Sequence, residues 1–122
     1  MLEMLPGAPD GVLAFKAVGE VTADDYRKVL DPAVHDTIAK HGGVRFVYVL
    51  GPEWTGYSAG AIWEDKRIGL AEWAKWERCA VVSDRDWIEH LTKAFAWLVP
   101  GKVKVFELDG LDDAMAWAAA SD

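Results

Sequence analysis

The sequence predicts a single α/β domain with a mostly parallel five-stranded sheet and four helices. Three observations lead there. The chain has 122 residues, of which 52% are hydrophobic. That length suits one domain, and that fraction can fill a core. Strand-like and helix-like runs follow one another as β-β-α-β-α-β-α-β-α. The connections are short, and repeated β-α units with short connections imply parallel strands joined by right-handed crossovers.

The first two strands form a predicted hairpin. Residues 1–5 are apolar, "PGAPDG" turns the chain, and residues 11–19, "GVLAFKAVG", are rich in β-formers and bounded by glycine. Thr22 is the N-cap of the first helix, with Asp25 at the capping-box position and Asp24 and Asp25 complementing the helix dipole. Tyr26, Val29, Leu30, Ala33, Val34, Thr37 and Ile38 share one helical face. Pro32 falls inside this helix and is expected to break it after Asp31. His41-Gly42-Gly43 ends it. Val44 to Leu50 reads as an inner strand covered on both faces. Residues 51–58 read as a loop, and Ser58 as the N-cap of a tryptophan-rich helix from Ala59 to Trp76. Residues 77–83, "ERCAVVS", form another inner strand. Asp84 or Asp86 starts a helix that Pro100-Gly101 stops. Residues 102–108 are a strand. The closing helix carries Leu111, Ala114, Met115 and Ala118 on its inner stripe.

Several function classes are excluded by composition or pattern. The net charge of −7 argues against non-specific nucleic-acid binding and against electrostatic docking to anionic lipid. No run approaches the roughly 20 apolar residues of a membrane span. The first residues, with Glu3 and Pro6, have no export-signal pattern, and Cys79 is the single cysteine. A cytoplasmic protein is expected. His35, His41 and His90 have no metal-ligand spacing, and no phosphate-loop, dinucleotide or nucleophile-elbow motif is present. Neither a metal, a cofactor nor a catalytic constellation is predicted.

The candidate site is the stretch "GPEWTGYSAGAIWED", residues 51–65, and the helix after it. A strand, a glycine- and hydroxyl-bearing loop, and a helix N-terminus are where α/β proteins receive anions or present hydroxyls. The structural alternative is that Gly51, Pro52 and Gly56 turn the chain while Ser58 caps the helix. Four of the seven tryptophans lie between 54 and 76. On a regular helix Trp63, Trp73 and Trp76 fan across about 140°, wider than the roughly 100° stripe of a surface helix. At least one ring reaches the edge of that stripe. Trp54, Tyr57, Trp63 and Trp73 are therefore candidate lining residues for an apolar cleft or a dimer interface. Lys66 and Arg67 stand at the rim to meet a polar headgroup. Core packing is the alternative role for the same rings.

Four segments carry a resemblance: "GEVTADDYRKVLDPAV", "GYSAGAIWEDKRIGL", "ERCAVVSDRDWIEHLTKAFAWL" and "KVFELDGLDDAMAWA". Together they resemble the SpoIIAA-like proteins, relatives of the STAS domain of sulphate transporters and anti-sigma factor antagonists. The resemblance runs from about Leu2 to Ala118. It implies a β-α superhelix with four helices and a mostly parallel sheet. It also implies one of two non-enzymatic roles. One is binding of an apolar or lipid-like molecule with peripheral membrane association, as suggested for SpoIIAA-like proteins. The other is regulation through a protein partner. Anti-sigma antagonists carry Asp-Ser-Ser-Gly or a close variant after the third strand, with a phosphorylated serine. This chain has Thr55-Gly56-Tyr57-Ser58 there, so Ser58 occupies the matching place without the matching motif.

Overall fold

The computed structural model describes residues 1–60, 75–83 and 102–120. Seven strands are present among them: β1 (Leu2–Met4), β2 (Val12–Ala17), β3 (Gly19–Val21), β4 (Val44–Leu50), β5 (Trp54–Tyr57), β6 (Trp76–Ser83) and β7 (Lys102–Phe106). The main sheet has the order β1-β2-β4-β6-β7. β1 pairs antiparallel to β2, and the other three pairings are parallel. The expected hairpin is therefore present, and its edge strand makes the sheet mixed.

A second sheet corrects the expectation of one mostly parallel five-stranded sheet. β3 and β5 pair in parallel just beyond the carboxyl ends of β2 and β4. The Gly19 amide donates to the Glu53 carbonyl at 2.7 Å and the Ser58 amide to the Val21 carbonyl at 2.9 Å, which brackets the pairing. Residues 54–57, expected as loop, are thus strand. Their glycine and hydroxyl content favours a turn locally, and pairing with a distant segment overrides it.

Two helical regions lie among the described residues, and the second and third of the four expected helices fall largely outside them. The first region covers residues 23–41 in three pieces: α1 (Ala23–Asp25), a π-helical turn (Tyr26–Leu30) and α2 (Asp31–His41). The capping box forms as expected. Thr22 accepts from the Asp25 amide, and the Asp25 carboxylate accepts from the Thr22 amide at 2.8 Å. Gly42, with φ 76°, closes the helix in left-handed geometry.

Pro32 does not break the helix. Asp31 keeps helical angles, φ −57° and ψ −50°, and its amide reaches back five residues to the Tyr26 carbonyl. A π-turn widens the helix where proline supplies no amide and its ring crowds the preceding turn. Tyr26, Leu30, Val34 and Thr37 are buried, whereas Val29, expected on the inner face, is 38% exposed.

The last helix, α3 (Leu111–Ala119), follows a single 3₁₀ turn. Ala114 and Ala118 are buried and Leu111 and Met115 partly so, as the expected stripe requires.

Side-chain alternation along the strands gives the sheet two different faces. Toward helix 23–41 it presents Phe15, Phe46, Tyr48 and Val81, joined by Tyr26, Trp54 and Trp76. Toward α3 it presents the smaller Val12, Ala14, Val47, Val49, Ala80 and Val82. Trp76 was expected at the end of a helix and instead opens β6 opposite Val44. The register shifts there, since Val44 pairs with Trp76 and Arg45 with Arg78. Glu77 is the extra residue of a bulge, and the bulge lets Trp76 and Cys79 meet the same core.

Candidate functional site

The aromatic residues on the helix 23–41 side form a continuous chain of rings along β4. Trp54 meets Tyr57 edge-on, with ring centroids 5.2 Å apart. Tyr57 stacks on Tyr26 at 6.5 Å. The Tyr26 and Tyr48 hydroxyls lie 3.2 Å apart in a hydrogen bond. Tyr48 meets Phe46 at 5.5 Å, and Phe46 meets Trp76 at 5.8 Å and Phe15 at 6.0 Å. Each element contributes for a local reason. β4 alternates Phe46 and Tyr48 onto one face. The π-turn begins at Tyr26. β5 carries Trp54 and Tyr57 over the carboxyl end of the sheet.

Of the predicted site residues, Trp54 and Tyr57 are brought together. Trp54 is 1% exposed and belongs to the core, while Tyr57 is partly buried and packs against it. Ser58 follows β5, half-buried, at the start of the next helical turn. Gly60 lies against α1, for a Cβ placed there would stand 3.1 Å from the Ala23 Cβ. The beginnings of the two helices are therefore in near contact. Trp63, Lys66, Arg67 and Trp73 lie outside the described residues, as do Trp87 and Trp97.

A second polar constellation went unforeseen. Arg78 is 6% exposed, donates to the Trp117 carbonyl at 2.7 Å and sits over the Trp117 ring at 4.9 Å. Arg45, its neighbour across the β4–β6 pairing, donates to the Ala118 carbonyl at 2.9 Å and to the Ala120 carbonyl. It also pairs with Glu77 at 2.9 Å. The two guanidinium groups hold the carbonyl end of α3, where the helix dipole is negative. The sequence signal was a cation within each of two mostly apolar strands.

The electrostatics near α1 are local. Burial pushes the Asp25 carboxyl up, but the Thr22 amide, the Met1 ammonium and the Thr22 hydroxyl outweigh it and hold it below the usual carboxylate range. The Met1 ammonium also donates to the Val18 and Glu20 carbonyls at 2.7 and 2.8 Å. Among the described residues no three His, Cys, Asp or Glu side chains group as metal ligands. Nor is any helix among them long and apolar enough to cross a membrane.

Parallel sheets that reverse direction open a ligand crevice at the reversal. Among the described strands the order does not reverse, and the β3–β5 pair follows the carboxyl ends of β2 and β4.

This architecture agrees with the comparisons to known proteins. The model of the SpoIIAA-like family matches residues 12–119. The chain belongs to the SpoIIAA-like family. A crystal structure at 2.25 Å resolution, of an uncharacterized protein of the DUF3478 family from Shewanella loihica PV-4 with a SpoIIAA-like fold, is also similar. It shares 27% identity over 98% of this chain and 93% of that one, with a TM-score of 0.78. No curated protein matches the chain. SpoIIAA-like membership places the sheet, the capped first helix and α3 in a shared architecture. It assigns no reaction to them.

Proposed function

We propose that this SpoIIAA-like chain is a non-enzymatic binding protein for a small apolar or amphiphilic molecule. The observation that carries the reading is the chain of rings from Trp54 through Tyr57, Tyr26, Tyr48 and Phe46 to Trp76, with one hydroxyl pair set within it. Small-molecule sites combine a mainly aromatic and aliphatic lining with a few placed polar groups. Tyr57 is the partly open end of the series. Trp63 and Trp73 extend the lining on this reading, and Lys66 and Arg67 meet the headgroup. The protein works in the cytoplasm, and its membrane contact is peripheral.

Intrinsic fluorescence titration with fatty acids, their esters and lysolipids tests this, alongside native mass spectrometry of protein purified from its own host. A saturable change that weakens in Trp63→Ala and Trp73→Ala supports it. The absence of saturable binding to every amphiphile, together with a ligand-free mass, overturns it.

A second reading is a regulatory module of the STAS kind, acting through a protein partner or a homodimer. It is supported by family membership and by the position of Ser58 between β5 and the following helical turn. Phosphopeptide mapping from cells separates the two readings. High occupancy at Ser58 favours the regulatory module, and a saturable amphiphile titration favours the binding protein.

A further inference from the structure

Trp76 ends the chain of rings with an unsatisfied group. It is 9% exposed, its ring lies 5.8 Å from Phe46, and its indole Nε1–H is buried with no acceptor among the described residues. A buried donor without a partner is costly, and native structures seldom leave one without a reason. Among the described residues the one buried charged side chain is Arg78, and the sequence neighbours of Trp76, Lys75 and Glu77, are exposed. The nearest cation along β6, Arg78, is committed to α3 on the opposite face. A carboxylate brought beside this indole would lose its hydration with no charge to compensate it. A neutral carbonyl would accept the same hydrogen bond at much lower desolvation cost.

We propose that Trp76 Nε1 is the polar anchor of the binding site, and that the molecule it selects carries a neutral carbonyl, as an ester or ketone, on an apolar chain. The inference rests on the binding reading above and specifies its ligand class. The apolar part lies along the ring series, and the indole N–H fixes where the carbonyl stops. Selection is by hydrogen-bond acceptance without charge. The free acid is thereby disfavoured against its own ester.

Three probes of equal chain length test this on the full chain: methyl octanoate, octanoate and octane. Headspace partitioning measures the two volatile probes, and calorimetry measures octanoate. Methyl octanoate is expected to bind more tightly than octanoate. Trp76→Phe, checked for folding by circular dichroism, is expected to weaken methyl octanoate by roughly two- to tenfold, the worth of one hydrogen bond, and to leave octane unchanged. If that variant does not fold, the wild-type protein supplies the second readout. The ¹⁵N-indole resonance of Trp76 is expected to move downfield with methyl octanoate and not with octane. Equal effects of Trp76→Phe on ester and alkane, or an indole resonance indifferent to the ester, overturn the anchor and leave the binding reading standing. Tighter binding of octanoate than of its ester overturns the neutral-carbonyl class. Failure of all three probes to bind overturns the anchor, and the binding reading itself then stands or falls on the amphiphile titration and native mass described above.

Discussion

Replacing Arg78 by alanine should loosen the carbonyl end of α3 more than any other single change on that face of the sheet. Three losses add. The charge-assisted hydrogen bond to the Trp117 carbonyl, at 2.7 Å, is worth about 1.5–3 kcal/mol. The guanidinium over the Trp117 ring, at 4.9 Å, contributes about 1 kcal/mol. The aliphatic stem packs among apolar neighbours and adds roughly 1 kcal/mol. Against these, removing a buried cation relieves part of its desolvation. The net expectation is about 3 kcal/mol for Arg78→Ala and about 1–2 kcal/mol for Arg78→Met, which keeps the stem. At this chain length 3 kcal/mol lowers Tm by roughly 10–15 °C. Urea unfolding followed by far-ultraviolet circular dichroism measures both variants. Arg45→Ala, holding the same helix end from the next strand, should be non-additive with Arg78→Ala by at least about 0.5 kcal/mol. An Arg78→Ala protein within about 0.5 kcal/mol of wild type would refute the Arg78 clamp and leave α3 held by its apolar stripe and Arg45.

Other perturbations follow from the first helix. Thr22→Ala should cost about 1 kcal/mol in chemical denaturation, because it removes the cap oxygen that accepts from the Asp25 amide. The Asp25 carboxyl is depressed in the folded state. Its contribution is therefore complete above the ordinary carboxylate range and fades as pH falls through the lowered value. Wild type should exceed Asp25→Asn in stability at neutral pH, and paired unfolding curves should converge in acid. Gly42→Ala should cost about 1 kcal/mol by the same assay, since φ is 76° at that residue.

What could be read from the sequence was what neighbouring residues decide among themselves. Thr22 and Asp25 lie three apart and cap one helix, so their pairing was legible. The hairpin from Leu2 to Ala17 and the α3 stripe were legible for the same reason. Trp54 to Tyr57 became a strand only because Gly19 to Val21 stands beside it, and no local pattern encodes that meeting. Pro32 was read correctly as a disturbance and incorrectly as a break, because the helix absorbs it by a wider turn. Trp76 looked helical from its spacing to Trp73, but its place is set by Val44 and Phe46 across the sheet. In the candidate site, Trp54 and Tyr57 were named as rings just ahead of the tryptophan-rich helix. The Tyr26–Tyr48 hydroxyl pair was not, since it joins a helix to a strand 22 residues away.

The strand order β1-β2-β4-β6-β7 also bears on how the protein is made. Each main-sheet strand pairs with the one synthesised before it, so the sheet can grow at one edge as the chain emerges. Pairings of this kind keep sequence separation modest and favour quick formation. α3 is different, for it packs against β2, β4, β6 and β7 together. Until it arrives, Val12, Ala14, Val47, Val49, Ala80 and Val82 lack the cover that α3 gives them. In that interval, between the pairing of β7 and the docking of α3, apolar side chains that α3 later covers are open to aggregation.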